Sequence, residues 1–136
     1  MKHNILFLCT GNSARSILAE AICNHLADTN VQAFSAGSQP AGTINPGAVD
    51  ELNKRSLDAT PYRSKSWDEF TAPGAPSLTW VITLCDNAAN EVCPVFPGAY
   101  QRAHWGLPDP ATGAATFSAT FDDLSARIES LLAELD

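Results

Sequence analysis

The chain has 136 residues, 45% apolar and 17% charged, which predicts one domain spanning 1–136 and excludes the disordered class. Eight Lys and Arg against 15 Asp and Glu give a formal charge of −7, so neither a nucleic-acid backbone nor an anionic membrane surface is expected as a partner. An anionic ligand has to be captured locally.

In chain order, Asn4 to Cys9 is a near-continuous apolar run ending in Thr10-Gly11-Asn12, the pattern of a strand buried on both faces. From Ala14 to about Ala27, Ile17, Leu18, Ala21, Ile22 and Leu26 recur at three- and four-residue intervals and predict a helix with one face inward. Val31 to Ala36 reads as a second strand, and Pro46 to about Arg55 as a helix with proline in its first turn. A helical turn is expected over Ser66 to Phe70, a third buried strand over Leu78 to Leu84, and a short fourth strand near Gln101 to Trp105. Phe117 to Leu135 closes the chain as an amphipathic helix. This alternation favours α/β architecture with a doubly wound parallel sheet, whose ligands bind beyond the carboxyl ends of the strands. Cys9 and Cys85 both fall at such ends.

No apolar run approaches the roughly 20 residues of a membrane-spanning helix. The start, Met1-Lys2-His3-Asn4, leads directly into a strand-like run, so no signal peptide and a cytoplasmic address are expected. In that reducing setting, Cys9, Cys23, Cys85 and Cys93 point to thiol chemistry rather than permanent disulfides. Cys23, within the first helix beside Ile22, reads as a packing residue.

Cys9-Thr10-Gly11-Asn12-Ser13-Ala14-Arg15-Ser16 reads C-x5-R-S between a buried strand and a helix start. A loop wrapped there turns several backbone N–H groups to one point, and the helix dipole adds positive potential. Thr10 to Arg15 would hold a tetrahedral oxyanion. Gly11 and Asn12 tolerate the positive φ such a curl requires, and Arg15 supplies a planar fork for two oxygens. The same field is expected to lower the Cys9 pKa, with the Ser16 hydroxyl donating to its sulfur. Neither G-x-x-x-x-G-K-[ST] nor G-x-G-x-x-G occurs, which sets nucleotide loops aside. Read without further context, Cys9 is also compatible with an inert thiol at a strand end, and Cys85 with Cys93 with a packing pair or, recruiting His104, a zinc site of unusual spacing.

The Cys9 to Ser16 loop, together with Thr83-Leu84-Cys85, Cys93-Pro94 and His104-Trp105-Gly106-Leu107-Pro108-Asp109-Pro110, resembles the low-molecular-weight protein tyrosine phosphatase family and, within it, the arsenate reductase branch. The resemblance runs from Ile5 to the last helix. It implies a flavodoxin-like, three-layer sandwich around a four-stranded parallel sheet, working as a monomer without a cofactor or resident metal. It further implies arsenate as substrate, with phosphate or sulfate as mimics. In that reading Cys9 attacks arsenic and Asp109, held between two prolines, protonates the departing oxygen. Cys85 then attacks Cys9 to release arsenite, and Cys93 attacks Cys85 to pass the disulfide outward. His104 and Trp105 read as scaffold.

Two departures from the family pattern matter. Where some members bind potassium, this chain has Asn12, Glu20 and Ser35 together with Lys65, a cation in place of an acid. The expectation is that the Lys65 ammonium replaces the ion, pairing with Glu20 and polarising Asn12. The Cys85 to Cys93 spacing is also one residue longer than in thioredoxin-coupled members, so thioredoxin and glutathione with glutaredoxin both stand as electron donors. A phosphoester hydrolase and a non-catalytic anion sensor are the competing functions. The extra thiols argue against the first, and turnover would exclude the second. Ala111-Thr112-Gly113 beyond Asp109 offers no aromatic grip for a phenyl ester.

Overall fold

A computed structural model of the chain describes residues 3–27, 30–85, 95–113 and 115–135. Strand β1 (His3–Leu8) is followed by α1 (Arg15–Leu26), β2 (Val31–Ala36), α2 (Pro46–Lys54), β3 (Trp80–Thr83), β4 (Gln101–His104) and α3 (Phe117–Leu135). Short 3-10 turns occupy Trp67–Phe70 and Pro110–Thr112. The expectations for residues 86–94, Cys93 among them, lie outside the described residues.

The four strands form one parallel sheet in the order β2-β1-β3-β4. β1 is central, and Ile5, Leu6, Phe7 and Leu8 have no exposed surface, the reason these four consecutive positions are all apolar rather than alternately so. Ile5 and Phe7 point into the larger core, with Ile17, Leu18 and Ile22 of α1 and Phe121, Leu124 and Ile128 of α3. Leu6 and Leu8 point the other way, against Phe70, Val81 and Phe96. α2 packs on α1 and α3. Its start is set by Pro46 and by the Asn45 side chain, which accepts from the Gly47 amide at 2.8 Å.

β3 is shorter than its apolar run predicts. The Leu78 amide donates to Pro97 O, so the first residue serves a loop junction; the Thr79 amide already reaches Asn4 O of β1, and the laddered register begins at Ile5↔Trp80. Leu26, expected on the inward face of α1, is 40% exposed as the last residue of the helix.

The order of the sheet decides where chemistry can occur. The chain leaves β1 toward β2 on one side and reaches β3 on the other, so the ends of β1 and β3 flank the crevice where the winding reverses. Leu8 pairs with Thr83, and the Leu84 amide donates to Leu8 O at 2.9 Å. Neighbouring strands lie roughly 5 Å apart, so Cys9 and Cys85 emerge side by side.

Candidate active site

The cradle follows directly from β1. At Ala14 the start of α1 has no side-chain cap, and the first turn carries no acidic residue. Its backbone donors are therefore left for the loop side rather than consumed locally. Asn12 takes the left-handed conformation at φ 46°, as its tolerance of that region predicts.

What turns the loop inside out is a neighbouring strap, residues 37–45. Gln39 N donates to Thr10 O at 3.0 Å, Ala41 N to Gly11 O at 2.9 Å and Asn45 N to Ser13 O at 2.8 Å. A trans peptide points its carbonyl and the next residue's N–H in opposite directions. Each tethered carbonyl therefore directs the amide of Gly11, Asn12 or Ala14 away from the strap. At the root of the strap, a Cβ on Gly37 would lie 2.4 Å from the Cys9 and Thr10 carbonyl oxygens, so only glycine permits this approach. The strap leaves little trace in the sequence because its contacts are made by backbone atoms; Gly37 just after β2 is the signal it offers.

The resulting cavity is about 210 Å³, walled by residues 9–11 and 13–15 with Cys85, Asp109 and Ala111. At roughly 30 Å³ per water-sized group, it has room for an ion of four oxygens. Arg15 reaches it from α1, its Nη1 donating to Leu107 O at 2.8 Å and its Nη2 lying 3.6 Å from Asp109 Oδ2. Its Nε is buried with no hydrogen-bond partner among the described residues, a donor suited to an anion. Asp109 is one-third exposed and also caps the 3-10 turn after it, Oδ1 accepting from Ala111 N at 2.9 Å. A larger hollow of about 420 Å³ between β4 and α3 has Trp80 and Trp105 in its walls but no thiol; the reactive groups gather in the smaller one.

Cys9 and Cys85 are both buried and touch each other at the cavity floor, and Thr10 Oγ1 lies 3.6 Å from Cys85 Sγ. This pairing corrects the expected acidity of Cys9. Its thiol is pushed above the ordinary range, first by its hydrogen bond with Cys85 and then by burial, against the opposing pull of Arg15 and the Gly11 amide. The cradle field acts in the expected direction, and the second sulfur outweighs it. Ser16, fully buried, accepts from Asn12 Nδ2 at 2.7 Å and keeps its own hydrogen to donate. Cys23 sits in the core, its pKa pushed up to about 12 by burial alone.

Asn12, Glu20, Ser35 and Lys65 converge behind the cradle. Ser35 Oγ donates to Glu20 Oε1 at 2.6 Å, and Lys65 Nζ stands 3.8 Å from that oxygen. The expected contact with Asn12 is corrected in its atoms. The Lys65 backbone N–H, not the ammonium, donates to Asn12 Oδ1 at 2.8 Å, and the ammonium donates instead to Arg63 O. His104 binds Thr83 Oγ1 through Nδ1 at 2.8 Å, and among the described residues no cluster of His, Cys, Asp and Glu has the makings of a metal site.

The sequence pattern of the low molecular weight phosphotyrosine protein phosphatases matches residues 4–136. The chain belongs to that family. Its curated relatives include proteins named arsenate reductase. It is 36% identical over 135 residues to the arsenate reductase of Shouchella clausii (strain KSM-K16), covering 94% of each chain. Among solved structures, the arsenate reductase of Archaeoglobus fulgidus DSM 4304 superposes with a TM-score of 0.76 at 26% identity, over 95% of this chain and 98% of that one. A thioredoxin-dependent arsenate reductase of Corynebacterium glutamicum gives a TM-score of 0.75 at 25% identity over 98% of this chain. The present chain spans 61% of that protein's length.

Proposed function

We infer that this phosphatase-family chain is an arsenate reductase, converting arsenate to arsenite through thiol chemistry. The observation that carries the reading is the pair of buried sulfurs, Cys9 and Cys85, in contact on the floor of an oxyanion-sized cavity. A phosphatase needs only one of them, because water releases phosphate from its cysteine without any change of oxidation state.

The proposed sequence balances as follows. Arsenate is held by the amides of Thr10 to Arg15 and the Arg15 guanidinium. Cys9 Sγ bonds to arsenic, and an arsenate hydroxyl departs as water, taking up the Cys9 proton through the carboxyl of Asp109. Cys85 Sγ then attacks Cys9 Sγ. The S–S bond forms, the S–As pair passes to arsenic, and As(V) leaves as As(III) arsenite with the Cys85 proton. Cys93 attacks Cys85, freeing Cys9, and an external dithiol reduces the Cys85–Cys93 disulfide. The likeness to one solved enzyme named thioredoxin-dependent supports thioredoxin as that donor, with glutathione and glutaredoxin the alternative. Among the described residues no helix is long and apolar enough to cross a membrane, and such donors place the reaction in the cytoplasm.

Behind the cradle, Lys65 serves as a built-in counter-charge to Glu20, so turnover should be the same in potassium and sodium salts. The test of the activity mixes reduced protein with arsenate and either donor system, and measures arsenite. Wild type produces it catalytically, whereas Cys85→Ser forms none above background; arsenite from Cys85→Ser at the wild-type rate ends the relay.

A further inference from the structure

We propose that Ser64 is a positioning residue of the cradle, a hydroxyl latch that fixes the Gly11–Asn12 peptide so that the Asn12 N–H faces the anion. The proposal rests on the reading of residues 9–15 as an oxyanion site and adds a residue from outside the motif.

Ser64 Oγ donates to Gly11 O at 3.2 Å and accepts from Gly42 N at 3.1 Å. With one bond given and one received, the hydroxyl hydrogen has a defined direction, and the latch ties cradle, strap and the 63–66 loop together. Gly11 O is thus held twice, by Ala41 N and by Ser64. Because the peptide is planar and trans, holding this oxygen outward holds the Asn12 N–H inward. The next residue completes the grip, its backbone N–H donating to Asn12 Oδ1. Residues 64 and 65 therefore restrain Asn12 through both its peptide plane and its side chain. Such restraint is what a buried non-glycine residue at φ 46° calls for, because a positive φ is costly unless its surroundings enforce it. Ser64 is absent from the cavity wall, so it acts through the peptides it holds, Gly11–Asn12 in the cradle and Gly42 in the strap.

The experiment measures binding of inorganic phosphate by calorimetry together with the Asn12 amide resonance by NMR. In the wild type, phosphate shifts the Asn12 amide. In Ser64→Ala the three strap bonds to the cradle remain, phosphate binds about three- to tenfold more weakly, and the Asn12 shift on saturation shrinks while that of Ala14 is kept. Ser64→Thr, which retains the hydroxyl, restores both. Affinity in Ser64→Ala within about twofold of wild type overturns the proposal, as does an equal loss in Ser64→Thr. An Asn12 amide indifferent to phosphate in the wild type overturns it without any variant. Phosphate binding is independent of arsenate turnover: Ser64-dependent binding in a chain that makes no arsenite sinks the activity and leaves the latch. Arsenite production with Ser64-independent binding sinks the latch alone.

Discussion

Two thiols sharing one pocket do not titrate as two separate thiols. Cys9 receives a lowering influence from Arg15 and the Gly11 amide, yet its pKa lies above the ordinary range because Cys85 and burial act more strongly. Replacing Cys85 with alanine removes both its hydrogen bond and its charge, so Cys9 should ionise at lower pH. The pH midpoint of Cys9 alkylation by iodoacetamide, followed by mass, is expected to move down in Cys85→Ala. A midpoint that stays put or rises would show that the second sulfur does not control the first. The same contact couples redox chemistry to acidity, since oxidising the pair removes both titrating groups at once.

At the scale of elements, the cradle depends on how closely the end of β2 and its strap approach the end of β1. Gly37 makes that approach possible, and it also receives and gives the bridge to the loop before the first 3-10 turn, through Lys65 O and Trp67 N. Gly37→Ala would place a methyl group against two cradle carbonyls, which either pushes the strap away or bends β1. A loss of about 1–3 kcal/mol in urea unfolding is expected, with weaker phosphate binding in the folded fraction. Unchanged stability together with unchanged affinity would refute the strap as the element that shapes the loop.

The whole molecule meets behind the cradle, where α1 brings Glu20, β2 brings Ser35 and the 63–66 loop brings Lys65. Burial pushes the Glu20 pKa up despite Lys65 and Ser35, and pushes that of Lys65 down despite Glu20. An acid whose folded pKa is raised gives stability that is present below its ordinary value and is lost as pH rises through the folded one. The base beside it has the opposite form: a lysine whose pKa is lowered by folding gives stability at high pH and loses it as pH falls through its folded value. Lys65→Met removes the influence that restrains Glu20, so Glu20 should hold its proton to higher pH than in wild type. The variant should lose up to about 3 kcal/mol near neutrality and recover part of it on acidification toward the ordinary glutamate value of 4.5. Urea unfolding across pH checks this; a variant as stable as wild type at every pH would show Lys65 to be a bystander.

Most of the fold was legible in the residues themselves. The apolar run of Ile5 to Leu8 in β1, the amphipathic pattern of α3 and Pro46 at the head of α2 are local patterns, set by burial on both faces, burial on one face and a fixed φ. The order strand, Cys9, Gly11, Arg15, helix was equally local, and it announced an anion cradle. Three matters were not local. Parallel pairing of β1 with β3 brought Cys85 against Cys9 and reversed the expected direction of its acidity, because sulfurs 76 positions apart in the chain act on each other only through space. The strap and Gly37 orient the cradle by backbone hydrogen bonds, which any residue but proline can donate whatever its side chain and which leave little mark on the sequence. Lys65 reached Asn12 through its peptide N–H rather than its ammonium, since composition fixes which charges exist, whereas packing decides which atom of a residue arrives.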